Sequence, residues 1–412
     1  MSRNTVTVTK STGGLSRREP NTDNIAGLIS TGVAVVGGLQ LGTTYTLKSI
    51  QDLEALLVNA AYDTANDVLL YHHVKRFFMR NPSGELWLRV AARTVTMAEL
   101  VTKTNAHAKQ LLVDAGGKVK VLGVNRNPAT GYAATLATGL DSDVIAAIPL
   151  AQALVVEEAA QFRDLDAVIL EGRSYNGLPS AALDLRTKAS PNVHVTIAAD
   201  PAVSASGTLS AGYAAVGDIL GLAAKAAVSQ NIGERTADFN LNIPAESVFM
   251  TAGLSSNALI TTYSDSQLDT LHDKGYIFPE SIPGISGFFL NDSHSCDVIS
   301  SDYAYMENNR TINKAIRAAR TALIPQVNGR IKVEAGTGKM SAADKSRLED
   351  SVVNAVESME VDGDISGGVS AYIDPEQNLL TASKIAVKLT FVPISIGRKI
   401  DLVVGFTNPL KA

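Results

Sequence analysis

Residues 143–170, DVIAAIPLAQALVVEEAAQFRDLDAVIL, read as a helix over 143–163 that runs into a strand over 166–170. The same alternation continues on both sides. Helical patterns cover 97–113 and 209–229, and strand patterns cover 117–124 and 192–197. Helices and short apolar strands taken in turn predict an α/β layer with a largely parallel sheet. The 209–229 segment is rich in Ala and Gly, which allows close helix packing. Upstream, a compact unit begins at Ile25, where IAGLISTGVAVVGG suggests strands broken by glycines. Ser49 opens a helix with Leu53, Leu56 and Leu57 on one face. Leu70, Val74, Phe77 and Phe78 then mark a second helix, stopped by Pro82 and Gly84, and ELWLRVAA follows as a buried strand.

Downstream the character changes. Residues 308–324 form an amphipathic helix with Ile312, Ile316, Ala319 and Leu323 on one face. Four basic residues, Arg310, Lys314, Arg317 and Arg320, and no acidic ones lie in that span. A helix over 342–360, with Ser341 as its cap, buries Leu348, Val352, Val356 and Met359 and is acidic outside. Strands are expected at 368–373, 384–392 and 399–406. In the last, Ile400, Leu402, Val404 and Phe406 share one face, and Lys399, Asp401, Val403 and Gly405 stand between them. At the other end, Thr5, Val6, Thr7, Val8 and Thr9 alternate in the same way. Neither terminal strand has a hairpin partner nearby in sequence, so each must pair with a distant segment or another molecule.

Composition narrows the function. With 45% hydrophobic and 19% charged residues, the 412-residue chain is globular rather than disordered, and its net charge of −5 argues against a general nucleic-acid coat. The single cysteine, Cys296, supports neither an intrachain disulfide nor a multi-thiolate metal site, and its scarcity fits a reducing cytoplasm. The N-terminal stretch has no apolar run of signal-peptide length, so Sec export is not expected, and no apolar stretch is long enough to span a bilayer.

A search for chemistry finds no constellation. His72 and His73 are adjacent on a helix and point about 100° apart, which suits one packed and one solvated ring rather than a metal site. Asp292-Ser293-His294-Ser295-Cys296-Asp297 holds nucleophile and base types, but without G-x-S-x-G around it reads as a polar loop. Gly336-Thr337-Gly338-Lys339 lacks the spaced first glycine and the hydroxyl of a phosphate loop, so it reads as a turn. Glu157-Glu158 and Asp362/Asp364 read as solvated charges. No catalytic residue, metal site or cofactor is assigned; the expectation is a protein that is not an enzyme.

The order of segments resembles the contractile tail sheath proteins of phages and related injection systems. The resemblance rests on IAGLISTG, KSIQDLEALL and LLYHHVKRFFMRNPSGELWLRV near the start, and on the 143–172 helix-then-strand. It continues through SDSQLDTLHDKGYIFPESIPGISGFFLNDSHS and SSDYAYMENNRTINKAIRAAR to GRIKV, AVKLTFVP and GRKIDLVVGF. It implies an inner α+β domain built from both chain ends, here 1–24 with 300–412, and an outer α/β domain over 25–299, with 97–142 a possible variable insertion. It further implies a virion structural protein that assembles in the bacterial cytoplasm into hexameric ring stacks around an inner tail tube. Baseplate and tail terminator proteins would be its other partners, with no direct nucleic-acid contact and no membrane insertion. The sheath would contract to drive the tube through a target cell envelope, as part of a phage tail or phage-like contractile injection particle that delivers a genome or effector. Residues 5–9 and 399–406 would be the arms that donate strands to neighbours, a β-augmentation. The basic face of 310–320 would meet the tube or the acidic helix of a neighbour. The rival readings are an α/β enzyme or ligand-binding protein with an unrecognised cleft, and a capsid, adhesin or surface-layer protein.

Overall fold

A computed structural model describes residues 22–406. Its centre is a six-stranded sheet. Strand β1 (Ile25–Gly32) is buried along its whole length. The others are β2 (Thr44–Leu47), β3 (Glu85–Ala92), β4 (Val121–Val124), β5 (Ala167–Glu171) and β6 (Val193–Thr196). The spatial order is β2-β3-β1-β4-β5-β6, parallel throughout except for β2 against β3. Near-continuous apolar runs such as VLGV and AVILE are what a parallel sheet covered on both faces requires. The predicted α/β class holds. Strand β4 falls within 97–142 and sits between β1 and β5, so the middle of that stretch is integral to the sheet rather than inserted on its surface.

Helices α1 (Leu70–Arg80), α2 (Ser142–Ala160) and α3 (Val216–Lys225) cover the sheet. Helix α3 is shorter than the 209–229 pattern suggests: Ser210–Gly212 forms a separate turn before it. The 97–113 pattern also divides, into Met97–Val101, opened by a Thr96–Glu99 capping box, and Ala108–Asp114.

The small residues of α3 act against α1. A Cβ on Gly217 would lie 2.3 Å from the His73 carbonyl oxygen, and one on Gly221 would lie 2.6 Å from Arg80 Cβ. Gly217→Ala is therefore expected to destabilise the protein by about 2 kcal/mol, the overpacking cost exceeding the helix-propensity gain of about 1 kcal/mol. Urea unfolding measures it, and a neutral result would show that α1 and α3 separate freely.

The C-terminal part packs around its own small cores. Helix α4 (Met306–Leu323) and helix α5 (Ala342–Val361) lie against the antiparallel pair β7 (Ile365–Ile373) and β8 (Val387–Pro393). Ser341 caps α5 as expected, accepting from Asp344 N. Ala315, Val356, Met359 and Ile365 form one cluster; Met340, Leu348 and Ile373 form the other. On α4 the buried face differs from the predicted one: Ala315 is enclosed while Ile316 is 42% exposed, because the helix is packed on two sides. Strand β7 starts at Ile365, three residues before the predicted 368, and is irregular in register around Gly367 and Gly368, both at positive φ. Among the described residues, β7 and β8 pair only with each other, leaving both outer edges open.

Candidate assembly interface

The third predicted C-terminal strand, 399–406, has no secondary structure in the isolated chain. Ile400, Leu402, Val403, Val404 and Phe406 are each more than 80% exposed. Five exposed apolar side chains in one short segment are what a chain presents when their cover comes from elsewhere. The pattern was legible as a strand, but no strand of the same chain pairs with it among the described residues. The other proposed arm, Thr5–Thr9, lies outside the described residues.

The segment leaves the body at a fixed point. Arg398 Nε donates to Asp292 Oδ2 at 2.8 Å, its NH2 group pairs with Glu307, and its guanidinium stacks 3.4 Å from the Tyr305 ring centroid. Asp292 and Glu307 are themselves buried and tied together by Asn231. The stretch 394–398 lines one side of a cavity of about 930 Å³, together with Arg235, His272, Glu280 and Asn291.

The 292–297 stretch, expected as a polar loop, is a buried hub instead. Ser293, His294, Ser295 and Cys296 are all fully enclosed. Ser293 Oγ donates to Glu307 and Ser295 Oγ to the Tyr303 carbonyl, so neither hydroxyl faces a histidine base. Burial pushes the Cys296 thiol up to about 12, which leaves it protonated and inert. His272, Asp292 and His294 do converge. However, Arg186 approaches His294 Nδ1 at 2.6 Å, and a guanidinium can only donate there. His294 then carries its proton on Nε2, which donates to His272 Nδ1 at 3.1 Å. The proton order thus runs from Arg186 through His294 to His272, while Asp292 is held separately by Arg398, and two nearby guanidinium charges oppose a cation. Sequence reasoning missed this hub because its members come from segments around 186, 231, 272, 292, 307 and 398.

Histidines elsewhere are also structural. His73 is buried and accepts from Gly217 N, and His72, half-buried, meets the Tyr213 ring edge to face at 5.7 Å. Burial pulls both well below the usual histidine range. His194 Nδ1 bonds the His294 carbonyl at 2.8 Å, and burial lowers its pKa to about 4. The unfolded chain takes up a proton on this ring below the ordinary value of 6.5 that the folded protein refuses. Stability from this residue is therefore complete above pH 6.5 and lost as pH falls towards 4. Relative to His194→Asn, the wild type is expected to lose about 2 kcal/mol between pH 7.5 and pH 5. Urea titrations of both proteins at the two pH values check this; a constant difference would contradict a neutral His194.

The cations of α4 face their own chain. Arg310 is fully buried and donates to the Ala226 and Ala227 carbonyls. Lys314 Nζ lies 2.6 Å from both Asp23 and Asp364. Arg317 forks onto Asp166, and Arg320 binds Asp164 while covering Phe162. The acids that answer them are thus not those of the acidic helix. Two groups read as solvated are buried as well: Glu158, paired with Arg163, and Asp364. Lys339 of the glycine-rich turn is bound to Glu376. Among the described residues, no helix is long and apolar enough to cross a membrane.

Comparison with solved structures places this architecture in a defined class. A chain of the anti-feeding prophage baseplate aligns with a TM-score of 0.60 at 13% identity, covering 99% of each chain. A chain of the extracellular contractile injection system PVC sheath complex, in the contracted state, gives 0.57 at 13% identity, covering 98% of this chain and 99% of that one. A sheath tail protein from Listeria innocua gives 0.53 at 9% identity, covering 90% and 92%. The fold is that of the sheath proteins of contractile injection systems and tails. Family models match residues 3–294 as the DUF2586 N-terminal domain and 302–411 as the DUF2586 C-terminal domain, and the chain belongs to that family. No curated protein matches the sequence.

Proposed function

We propose that this chain is the structural subunit of a contractile sheath, and that it works by assembly rather than catalysis. The observation that carries this reading is the exposed apolar segment 399–406 beside a two-stranded sheet with open edges, on a sheath fold. A strand donated by a neighbour satisfies the backbone groups of such an edge and buries the donor's side chains at once. Residues 399–406 and 5–9 are the donated arms. The separate small cores after residue 306 support an inner domain of 1–24 with 300–412, and the sheet-centred core supports an outer domain of 25–299.

The subunits stack as hexameric rings around an inner tube, between baseplate and terminator proteins, in a phage tail or phage-like particle assembled in the bacterial cytoplasm. The 6-fold symmetrised baseplate and the contracted sheath complex among the structural neighbours support that reading. Contraction then draws its energy from the difference between two packings of rigid subunits linked by exchanged strands. Negative-stain electron microscopy of the purified full-length protein tests the proposal. Tubes or ring stacks are expected; a monomer at all concentrations, stabilised by a small ligand, would reverse it.

A further inference from the structure

Asp23 and Arg398, next to the two proposed arms, lie 375 positions apart in sequence (398 − 23), yet both are tied to one helix. Asp23, two residues before β1, accepts from Lys314 and lies 3.7 Å from Arg317. Arg398, the last residue before the exposed segment, is held by Asp292 and Glu307 and stacks on Tyr305, the cap residue of α4. Glu307, Lys314 and Arg317 lie at i, i+7 and i+10, about 10 and 15 Å apart along the axis and within one quadrant of the helix. The same flank binds the body through Arg317–Asp166 and the C-terminal domain through Lys314–Asp364.

We propose that α4 is the common anchor of both arms: Lys314 and Arg317 clamp the N-terminal root at Asp23, and Glu307 with Asp292 clamps the C-terminal root at Arg398. The proposal rests on the sheath reading for the purpose of the arms, and on geometry alone for the clamps. Its consequence is mechanical. A pull on either arm reaches the same rigid element, which also joins the two halves of the chain. The clamps are ionic and the C-terminal one is reachable by solvent, Arg398 being 31% exposed, so it is the releasable member. Ile394, Ser395, Ile396 and Gly397, which precede Arg398, line the cavity described above.

The test uses the unassembled full-length protein. In a Cys296→Ser background, a nitroxide on Ser395→Cys reports motion at the root, and hydrogen exchange reports amides 394–398. Arg398→Gln is expected to sharpen the nitroxide spectrum and speed exchange there about tenfold, the size of one lost charge-assisted contact. Exchange in β1, β4 and β5 should be unchanged. Arg398→Lys, which keeps charge but not the fork or the stack, should fall between the two. Asp23→Asn should speed exchange at 23–25 and leave 394–398 as in the wild type. Raising salt to 1 M on the unmutated root provides a version of the test free of folding defects; because Asp292 and Glu307 are buried, it should move the spectrum only part of the way towards that of Arg398→Gln. An unchanged spectrum and unchanged exchange in Arg398→Gln and at high salt would overturn the clamp. Both readouts precede assembly, so they stand whether or not the protein forms tubes.

Discussion

Leu402→Asp combined with Val404→Asp is expected to abolish tube formation while leaving the single chain as stable as before. Both side chains are more than 80% exposed in the isolated protein. Substituting them should shift unfolding by no more than about 0.5 kcal/mol, as at other surface positions. In the proposed sheath the same face, with Ile400 and Phe406, would lie against a neighbour. Each buried Leu, Val or Phe contributes about 1.5–3 kcal/mol, and a carboxylate driven into that site costs more than the contact it replaces. Summed over every subunit, the loss is large enough that no tube should survive. Val403→Pro attacks the backbone instead, removing a ladder donor and blocking strand addition. Val36→Asp, at a position 98% exposed but outside the arm, is the control that should assemble normally. Sedimentation and electron microscopy of the three variants decide the matter. Intact tubes from the double variant would exclude 399–406 as the assembly strand.

The second large effect lies within the subunit. Arg80 of α1 donates through Nε to Asp218 of α3 at 2.8 Å and through its other nitrogens to the Asn240 and Leu241 carbonyls. The two side chains are only 3% and 1% exposed. Asp218→Ala leaves the guanidinium buried with carbonyl partners but no countercharge, and should cost about 3–5 kcal/mol. Arg80→Met with Asp218→Leu removes both charges and should recover much of that loss, because the desolvation penalty disappears with them. A urea double-mutant cycle gives the coupling. A single-mutant cost below 1 kcal/mol would mean that water reaches the pair.

Much of the fold was legible because its signals are local. The apolar run of β5, the Ser341 cap and the amphipathic spacing of α5 each depend on residues within a few positions of one another. The 399–406 alternation predicts a strand, but the isolated chain forms none there, and its role as an arm rests on the proposal above. The order β2-β3-β1-β4-β5-β6 was not legible, since pairing is settled by long-range packing. Nor was the direction of the α4 cations. Helical spacing shows that Lys314, Arg317 and Arg320 share a flank, but what that flank meets is decided by Asp23, Asp164 and Asp166, brought there by the fold. The 292–297 loop became a buried hub for the same reason: its polar groups are satisfied by residues from five other segments. By itself, then, the sequence determined most of the helices and strands, which follow from short-range periodicity. The tertiary structure alone decided which charges are buried and what holds Asp23 and Arg398, because a charge can leave water only where distant parts of the chain supply its partners.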